Sequence, residues 1–362
     1  MTCRTGYTLL VVVAMTFVSV SCHNQYESGS KTRMVTDAYG RSIVVPDSIR
    51  SVIGLGSGAL RMVCYMDLAD RTGYIEGNEK RRKIPYIMAN PGLRNLEVIG
   101  AGNNYDTELL AAGNADLLIT TFKTASEADR LQKLTHKPVF VLKYGNLGDG
   151  ISDFFNSLSL LGKAFGMEER SDSLISYISE TISECESRVA AVYGPGISAY
   201  IGGVAFSGSH GITSTLNDYP PFRINSINNV AAEVLNEAGI SGIRNNNTMV
   251  EAEQLIEWDP DFIFLDGAGT AIWKNDISKP VFKSTLKAFE EGRIYTVLPY
   301  NWYSINYENV LCNTWFAGKV IYPRAFSDIN IEEKCREIYK IFLGNDIFDE
   351  MNELYSPFRE AL

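Results

Sequence analysis

The chain has 362 residues, of which 45% are hydrophobic and 21% charged. That is enough apolar mass to bury a substantial core, and at roughly 100–200 residues per domain it suits two domains and excludes wholesale disorder. Its 43 acidic side chains against 33 basic ones leave a formal net charge of −10, with no basic run longer than Lys80-Arg81-Arg82-Lys83, which argues against nucleic acid as a partner.

The longest apolar run, Leu9 to Val20, falls short of the roughly 20 residues that a spanning helix needs. Arg4 precedes it and Ser19-Val20-Ser21-Cys22 closes it, the layout of a signal peptide over residues 1–21. The junction resembles the lipobox of bacterial lipoproteins, with Ser19 where that pattern usually carries Leu. The resemblance implies that the Cys22 thiol carries the lipid anchoring the protein at the periplasmic face of a membrane, at about 0.8 kcal/mol per buried methylene. The alternative is an ordinary secretory peptide that leaves Cys22 as a free thiol. Residues 22–33 are polar and rich in turn formers, as a tether requires.

From residue 34 the pattern is that of folded α/β structure. Met34-Val35-Thr36-Asp37 and Arg41 to Pro46 predict a hairpin about Ala38-Tyr39-Gly40. Strands are expected at Ser51–Leu55, Thr72–Ile75, Asp116–Thr120 and Pro138–Leu142, with helices at Ala59–Met66, Thr107–Ala112 and Ala125–Leu134. This alternation marks a parallel-sheet lobe over residues 34–148. Residues 149–194 read as a connecting helical segment, broken near Gly162 and Gly166 and continuing from Ser171 to Tyr193 with Leu174, Ile178, Ile182, Cys185 and Val189 at helical spacing. After Gly194-Pro195-Gly196 a second lobe, residues 195–362, repeats the alternation. It has strands at Ile197–Ile201, Phe262–Leu265 and Arg293–Val297, and helices at Ala232–Ala238, Glu251–Glu257, Val281–Ala288, Tyr307–Tyr322 and Ile331–Phe342. A terminal helix or fringe over Asp346–Leu362 closes the chain.

One internal echo links the lobes. Thr107 to Ile119 aligns with Ala252 to Phe264, each a short amphipathic helix, a polar turn ending in Asp, and a buried strand. Glu108 stands to Asp116 as Glu253 stands to Asp261, which predicts two copies of one architecture. Cys64, Cys185, Cys312 and Cys335 are widely spaced with no C-x-x-C pair, so they form no zinc ribbon and are read as buried thiols.

The order of the Val35-to-Arg41 segment, the Asp-Leu-Leu-Ile and Asp-Phe-Ile-Phe strands, and the Gly-Arg-Ile-Tyr-Thr-Val strand resembles the helical-backbone class of bacterial substrate-binding proteins. These are the ferric-siderophore, haem and cobalamin receptors of ABC importers. The resemblance implies two α/β lobes with mainly parallel sheets, joined by a single long helix, with the ligand cleft between them. It further implies an ABC permease and its ATPase as partners, docked through one acidic residue on each lobe, here Glu108 and Glu253.

Open α/β sheets bind ligands at the carboxyl ends of their strands, so the loops that follow strands are the candidate cleft walls. Ser57 and Thr121 lie on such loops in the first lobe, and Ser209, His210, Tyr300, Asn301, Trp302 and Tyr303 on such loops in the second. The aromatic density of Tyr300-Asn301-Trp302-Tyr303 suits the flat or greasy surface of a metal chelate. His210 is either a metal-contacting residue or an ordinary hydrogen-bonded histidine. Hydroxyls of Ser57, Thr121 and Ser209 beside glycine-rich turns also suit an oxyanion such as molybdate or tungstate.

No G-x-S-x-G elbow, P-loop or H-E-x-x-H is present, and Gly54-Leu55-Gly56-Ser57-Gly58 lacks the continuation of a dinucleotide fingerprint. No resident cofactor is therefore expected. The sequence reads as a lipid-anchored receptor that delivers an iron chelate (siderophore, haem or a corrinoid-like complex) to an importer. The alternatives are an oxyanion receptor of the same fold, a chelate-processing enzyme using His210, or a scaffold without ligand.

Overall fold

A hairpin pairing Thr32–Thr36 with Ser42–Pro46 opens the structure. Its turn is held by Asp37, whose buried carboxylate accepts the backbone N–H groups of Tyr39, Arg41 and Val141 at 3.0, 3.0 and 3.2 Å. Gly40 takes the left-handed φ of 73° that the turn demands. The Val-Thr-Asp-Ala-Tyr-Gly-Arg segment is thus a device that fastens the hairpin to the first sheet. The computed structural model describes residues 31–101, 104–192, 196–233 and 247–361, and residues Thr32–Leu362 belong to a single compact unit. Cys22 and the expected signal peptide lie outside the described residues, as does most of the helix expected at Ala232–Ala238.

The first lobe is built on parallel strands in the order Val52–Leu55, Leu117–Thr120, Val139–Val141. A bridge between Val52 and Thr72 leads from this sheet to Tyr74–Glu76, which pairs parallel with Glu97–Ala101. The second lobe carries Asn228–Asn229, Ser198–Gly202, Phe262–Asp266 and Ile294–Val297 in that order, all parallel. Val52–Leu55, Leu117–Thr120 and Phe262–Asp266 are buried along nearly their whole length, as expected when helices cover both faces of a sheet.

Between the lobes run the helices Ile151–Phe165 and Glu168–Ala190. The second has 23 residues, about 35 Å at 1.5 Å per residue, and buries Leu174, Ile178, Cys185 and Val189 along one stripe. Gly166, in the left-handed region, separates the pair. Gly162, expected to break the helix, lies inside it. A Cβ there would stand 2.4 Å from the Ser171 hydroxyl, so this glycine serves close helix packing rather than a turn.

The internal echo is realised in the sheet register. Asp116 accepts the backbone N–H groups of Arg50 and Ser51 at 2.7 and 3.1 Å, and Asp261 accepts the N–H and hydroxyl of Ser198 at 2.8 and 2.6 Å. In each lobe the aspartate pins the start of its own strand to the start of the neighbouring one.

Several elements differ from expectation. Val281–Ala288 is two short helices, Pro280–Thr285 and Lys287–Glu290, parted at the extended residue Leu286. The terminal segment, expected as a helix or a fringe, is both, the helix Phe348–Tyr355 followed by chain that pairs with Ile294–Val297 through hydrogen bonds from Phe358 and Ala361 and one to Arg359. Residues 77–105, which carried no expected element, hold two short helices, a 3-10 turn and two strands. Their pieces are too short to display a period. The main hydrophobic core runs without interruption from Val52 and Leu60 in the first lobe, through Leu161, Leu174 and Ile178 of the connecting helices, to Val297 and Leu311 in the second.

Candidate ligand-binding site

The strand Val52–Leu55 turns into the helix Ala59–Tyr65 through Gly56, Ser57 and Gly58. Gly56 and Gly58 have φ of 85° and 87°, and a Cβ on Gly58 would lie 2.3 Å from the Tyr144 ring. The glycines thus let the backbone fold tightly over Tyr144, at the carboxyl end of the sheet. Thr121, after the strand Leu117–Thr120, donates its hydroxyl to the Ser57 carbonyl at 2.8 Å. The two hydroxyl residues expected in the first lobe are therefore neighbours, and Thr121 braces the turn that carries Ser57.

Beside them opens a cavity of about 210 Å³ lined by Leu55, Gly56, Tyr105, Thr120, Phe122, Lys123 and Glu127. The Lys123 ammonium stands 5.3 Å from the centre of the Tyr105 ring, and Glu127 closes the capping box of the helix Ala125–Thr135. The lining is mixed in polarity and sits where parallel strands end.

In the second lobe, Tyr300 to Tyr303 do not form an open aromatic platform. Tyr300 is buried, its N–H donating to Asp266 at 2.7 Å and its ring meeting Tyr219 edge-on. Asn301 donates to the Ala205 carbonyl at 3.3 Å, and Trp302 packs against the main core. Tyr303 donates its hydroxyl to Glu76 of the first lobe, and its ring lies 4.7 Å beneath the Arg82 guanidinium. Tyr303 and Ser304 both hold left-handed φ angles, 56° and 79°, a strained arrangement kept in place by these contacts.

Ser209 and His210 are half-buried on the glycine-rich loop after Ser198–Gly202. The Nε2 of His210 lies 2.6 Å from the Phe206 carbonyl, so that nitrogen carries the proton and is committed within its own loop. Among the described residues no cluster of three or more His, Cys, Asp or Glu side chains is placed to hold a metal ion. Glu108 and Glu253 are both exposed at the second position of their short helices, Thr107–Ala112 and Ala252–Trp258.

What ties the two strand-end regions together is a residue absent from the sequence reading, Arg61. Fully buried in the helix Ala59–Tyr65, it donates to the Tyr144 hydroxyl and Asn306 Oδ1, both at 2.6 Å, and to the carbonyls of Trp302 (3.2 Å) and Ile305. Around it lie the buried carboxylates Glu79 and Glu308, bonded by Tyr86 and Tyr65 respectively. Burial pushes the carboxyls of Glu76 and Glu308 above the usual range and that of Glu79 up to about 8. The available signal was Arg61 as the single charge in the otherwise apolar run Ala59 to Met66, and Glu308 ahead of the apolar pair Val310 and Leu311.

A model of the periplasmic binding protein family matches residues 71–300. The molybdate-binding protein MolA of Haemophilus influenzae is 20% identical over 343 residues, covering 86% of this chain and 90% of the relative. Among solved structures, a periplasmic solute binding protein from Veillonella parvula superposes with a TM-score of 0.70 at 20% identity, covering 90% of this chain and 97% of that one. Molybdate-bound MolA superposes at 0.68 and 17% identity over 87% and 98%. The heme binding protein HmuT superposes at 0.54 and 16% over 81% and 90%.

Proposed function

The chain belongs to the periplasmic binding protein family, and from that premise we propose that it is the solute receptor of an ABC importer whose ligand is a compact oxyanion of the molybdate or tungstate kind. The observation that carries this reading is the size and character of the opening where the first lobe's strands end. A cavity of about 210 Å³ walled by Gly56, Thr120 and Lys123 suits a small anion better than a chelate. The aromatic loop expected to greet a chelate is engaged instead in holding the lobes together. Lys123 supplies the positive charge, and the Ser57 and Thr121 turn supplies polar groups beside it. The likeness to a molybdate receptor over most of both chains supports the same reading.

A second reading, an iron chelate such as a ferric siderophore, haem or a corrinoid-like complex, is favoured by two exposed rings. Phe122 and Phe206, 36% and 41% accessible, sit on strand-following loops of the two lobes. Titration of the purified protein with molybdate, tungstate, a ferric siderophore and haem, followed by tryptophan fluorescence, separates the readings. Saturation by an oxyanion, weakened about tenfold in Lys123→Ala for the loss of one charge contact, supports the first. Saturation by haem or the siderophore alone replaces it with the second.

Delivery to the permease is assigned to Glu108 and Glu253. Their equivalent exposed positions on the two lobes place one acidic group on each, the arrangement that orients encounter with a pair of basic sites. Reversing both to Arg is expected to leave solute affinity unchanged and to abolish transport in reconstituted importer. Undiminished transport removes the assignment. Attachment to the membrane is assigned to a lipid on Cys22.

A further inference from the structure

We propose that Cys312 and Cys335 form an intrachain disulfide that staples the helix Tyr307–Ile321 to the helix Ile331–Leu343. The two helices follow one another in the chain and pack antiparallel, and two hydrogen bonds set their register. The Tyr339 hydroxyl donates to Asn309 Oδ1 at 2.8 Å, and the Lys319 ammonium donates to the Ile329 carbonyl. In an antiparallel pair, advancing three residues from Asn309 on one helix corresponds to retreating about as far from Tyr339 on the other. That step leads from the first contact to Cys312 on one side and Cys335 on the other. Both are free thiols, fully buried in the same core, and the two side chains are near enough for Cys335 to act on the ionisation of Cys312. Cys64 and Cys185, also buried, lie on other helices.

The chemistry needs an oxidant, which in the periplasm is a protein or small-molecule disulfide; for that oxidant alone the proposal rests on the periplasmic reading. One cysteine thiolate attacks the external disulfide and expels one thiolate from it. The second cysteine then attacks the mixed disulfide and expels the other. The two thiols lose two protons and two electrons in forming the S–S bond, and the external disulfide is reduced to two thiols. Burial raises the Cys312 thiol well above its ordinary range, so exchange is slow in the closed fold and proceeds when the helix pair opens.

The test uses the purified, reduced, folded full chain, incubated with a mixture of oxidised and reduced glutathione in urea just below the unfolding midpoint. Remaining thiols are then alkylated in strong denaturant and the chain is mapped by proteolysis and mass spectrometry. The expected result is a peptide pair joined through Cys312 and Cys335, with Cys64 and Cys185 alkylated, and a higher urea midpoint for the oxidised chain that is lost on reduction. A chain in which Cys312 and Cys335 are both alkylated, or in which either is joined to Cys185, overturns the proposal. Because the oxidant is supplied in the tube and no solute is present, the outcome is independent of which ligand the protein carries.

Discussion

Arg61→Met is expected to lower the free energy of unfolding by roughly 3–5 kcal/mol, the range found when one partner of a buried charged network is removed. The loss would come from three sources. The Tyr144 hydroxyl, Asn306 Oδ1 and the carbonyls of Trp302 and Ile305 would lose their shared donor. Glu308, buried and accepting the Tyr65 hydroxyl, would lose the positive charge that favours its ionised form. The loop Tyr300 to Asn306 would lose its contacts with Arg61, leaving Tyr303 with Glu76 and the Tyr144 hydroxyl on the Ile305 carbonyl among its ties to the first lobe. Arg61→Lys is expected to recover only part of the loss, because a single ammonium cannot span the four acceptors that the guanidinium fork reaches. Urea denaturation of the three proteins measures the effect. A loss below about 1 kcal/mol for the Met variant would mean that apolar packing, rather than this network, holds the loop.

The second large effect is a pH dependence. Glu79 is fully buried, one oxygen accepting the Tyr86 hydroxyl at 2.6 Å and the other without a partner, and its carboxyl is pushed from 4.5 up to about 8 by desolvation. The folded chain therefore keeps this proton to about pH 8, whereas the unfolded chain releases it near pH 4.5. Across that window the folded state binds more protons, so stability is greatest at the acidic end and falls as the pH rises through the window. The contribution is on the order of 4 kcal/mol. Asp266 acts in the same sense up to about pH 7, being buried with only the N–H groups of Tyr300 and Ala268 to support its charge. Glu79→Gln keeps an acceptor for Tyr86 and carries no charge, so it should be the more stable protein at pH 8 and the near equal of the parent at pH 4.5. Urea midpoints at the two pH values decide this, and parallel curves for parent and variant would show that Glu79 is ionised in the fold throughout.

The strands Val52–Leu55, Leu117–Thr120 and Phe262–Asp266 were legible as nearly unbroken apolar runs, and the helix Glu168–Ala190 because it is long enough to display a period. The repeated Glu-to-Asp spacing was legible as well, and its meaning in three dimensions is the pair of aspartates that pin Ser51 and Ser198. Residues 77–105 were not, since Gly77–Arg81 is polar, Glu97–Ala101 mixes a charge and a glycine with its apolar residues, and such short pieces take their conformation from their neighbours.

At the candidate site, the strand-following loops were legible and the contacts that their residues make were not. The sequence by itself determined the alternation of strand and helix, the long connecting helix, and therefore the strand ends at which a solute site belongs, because those features follow from local spacing of apolar residues. Only the tertiary structure decided that Tyr303 turns to Glu76 and that Arg61 gathers the carbonyls of a loop some 240 residues away. It alone brought Cys312 level with Cys335. A buried donor is directed by whichever acceptors packing brings within about 3 Å of it, and that choice is made by long-range contacts that leave no period in the chain.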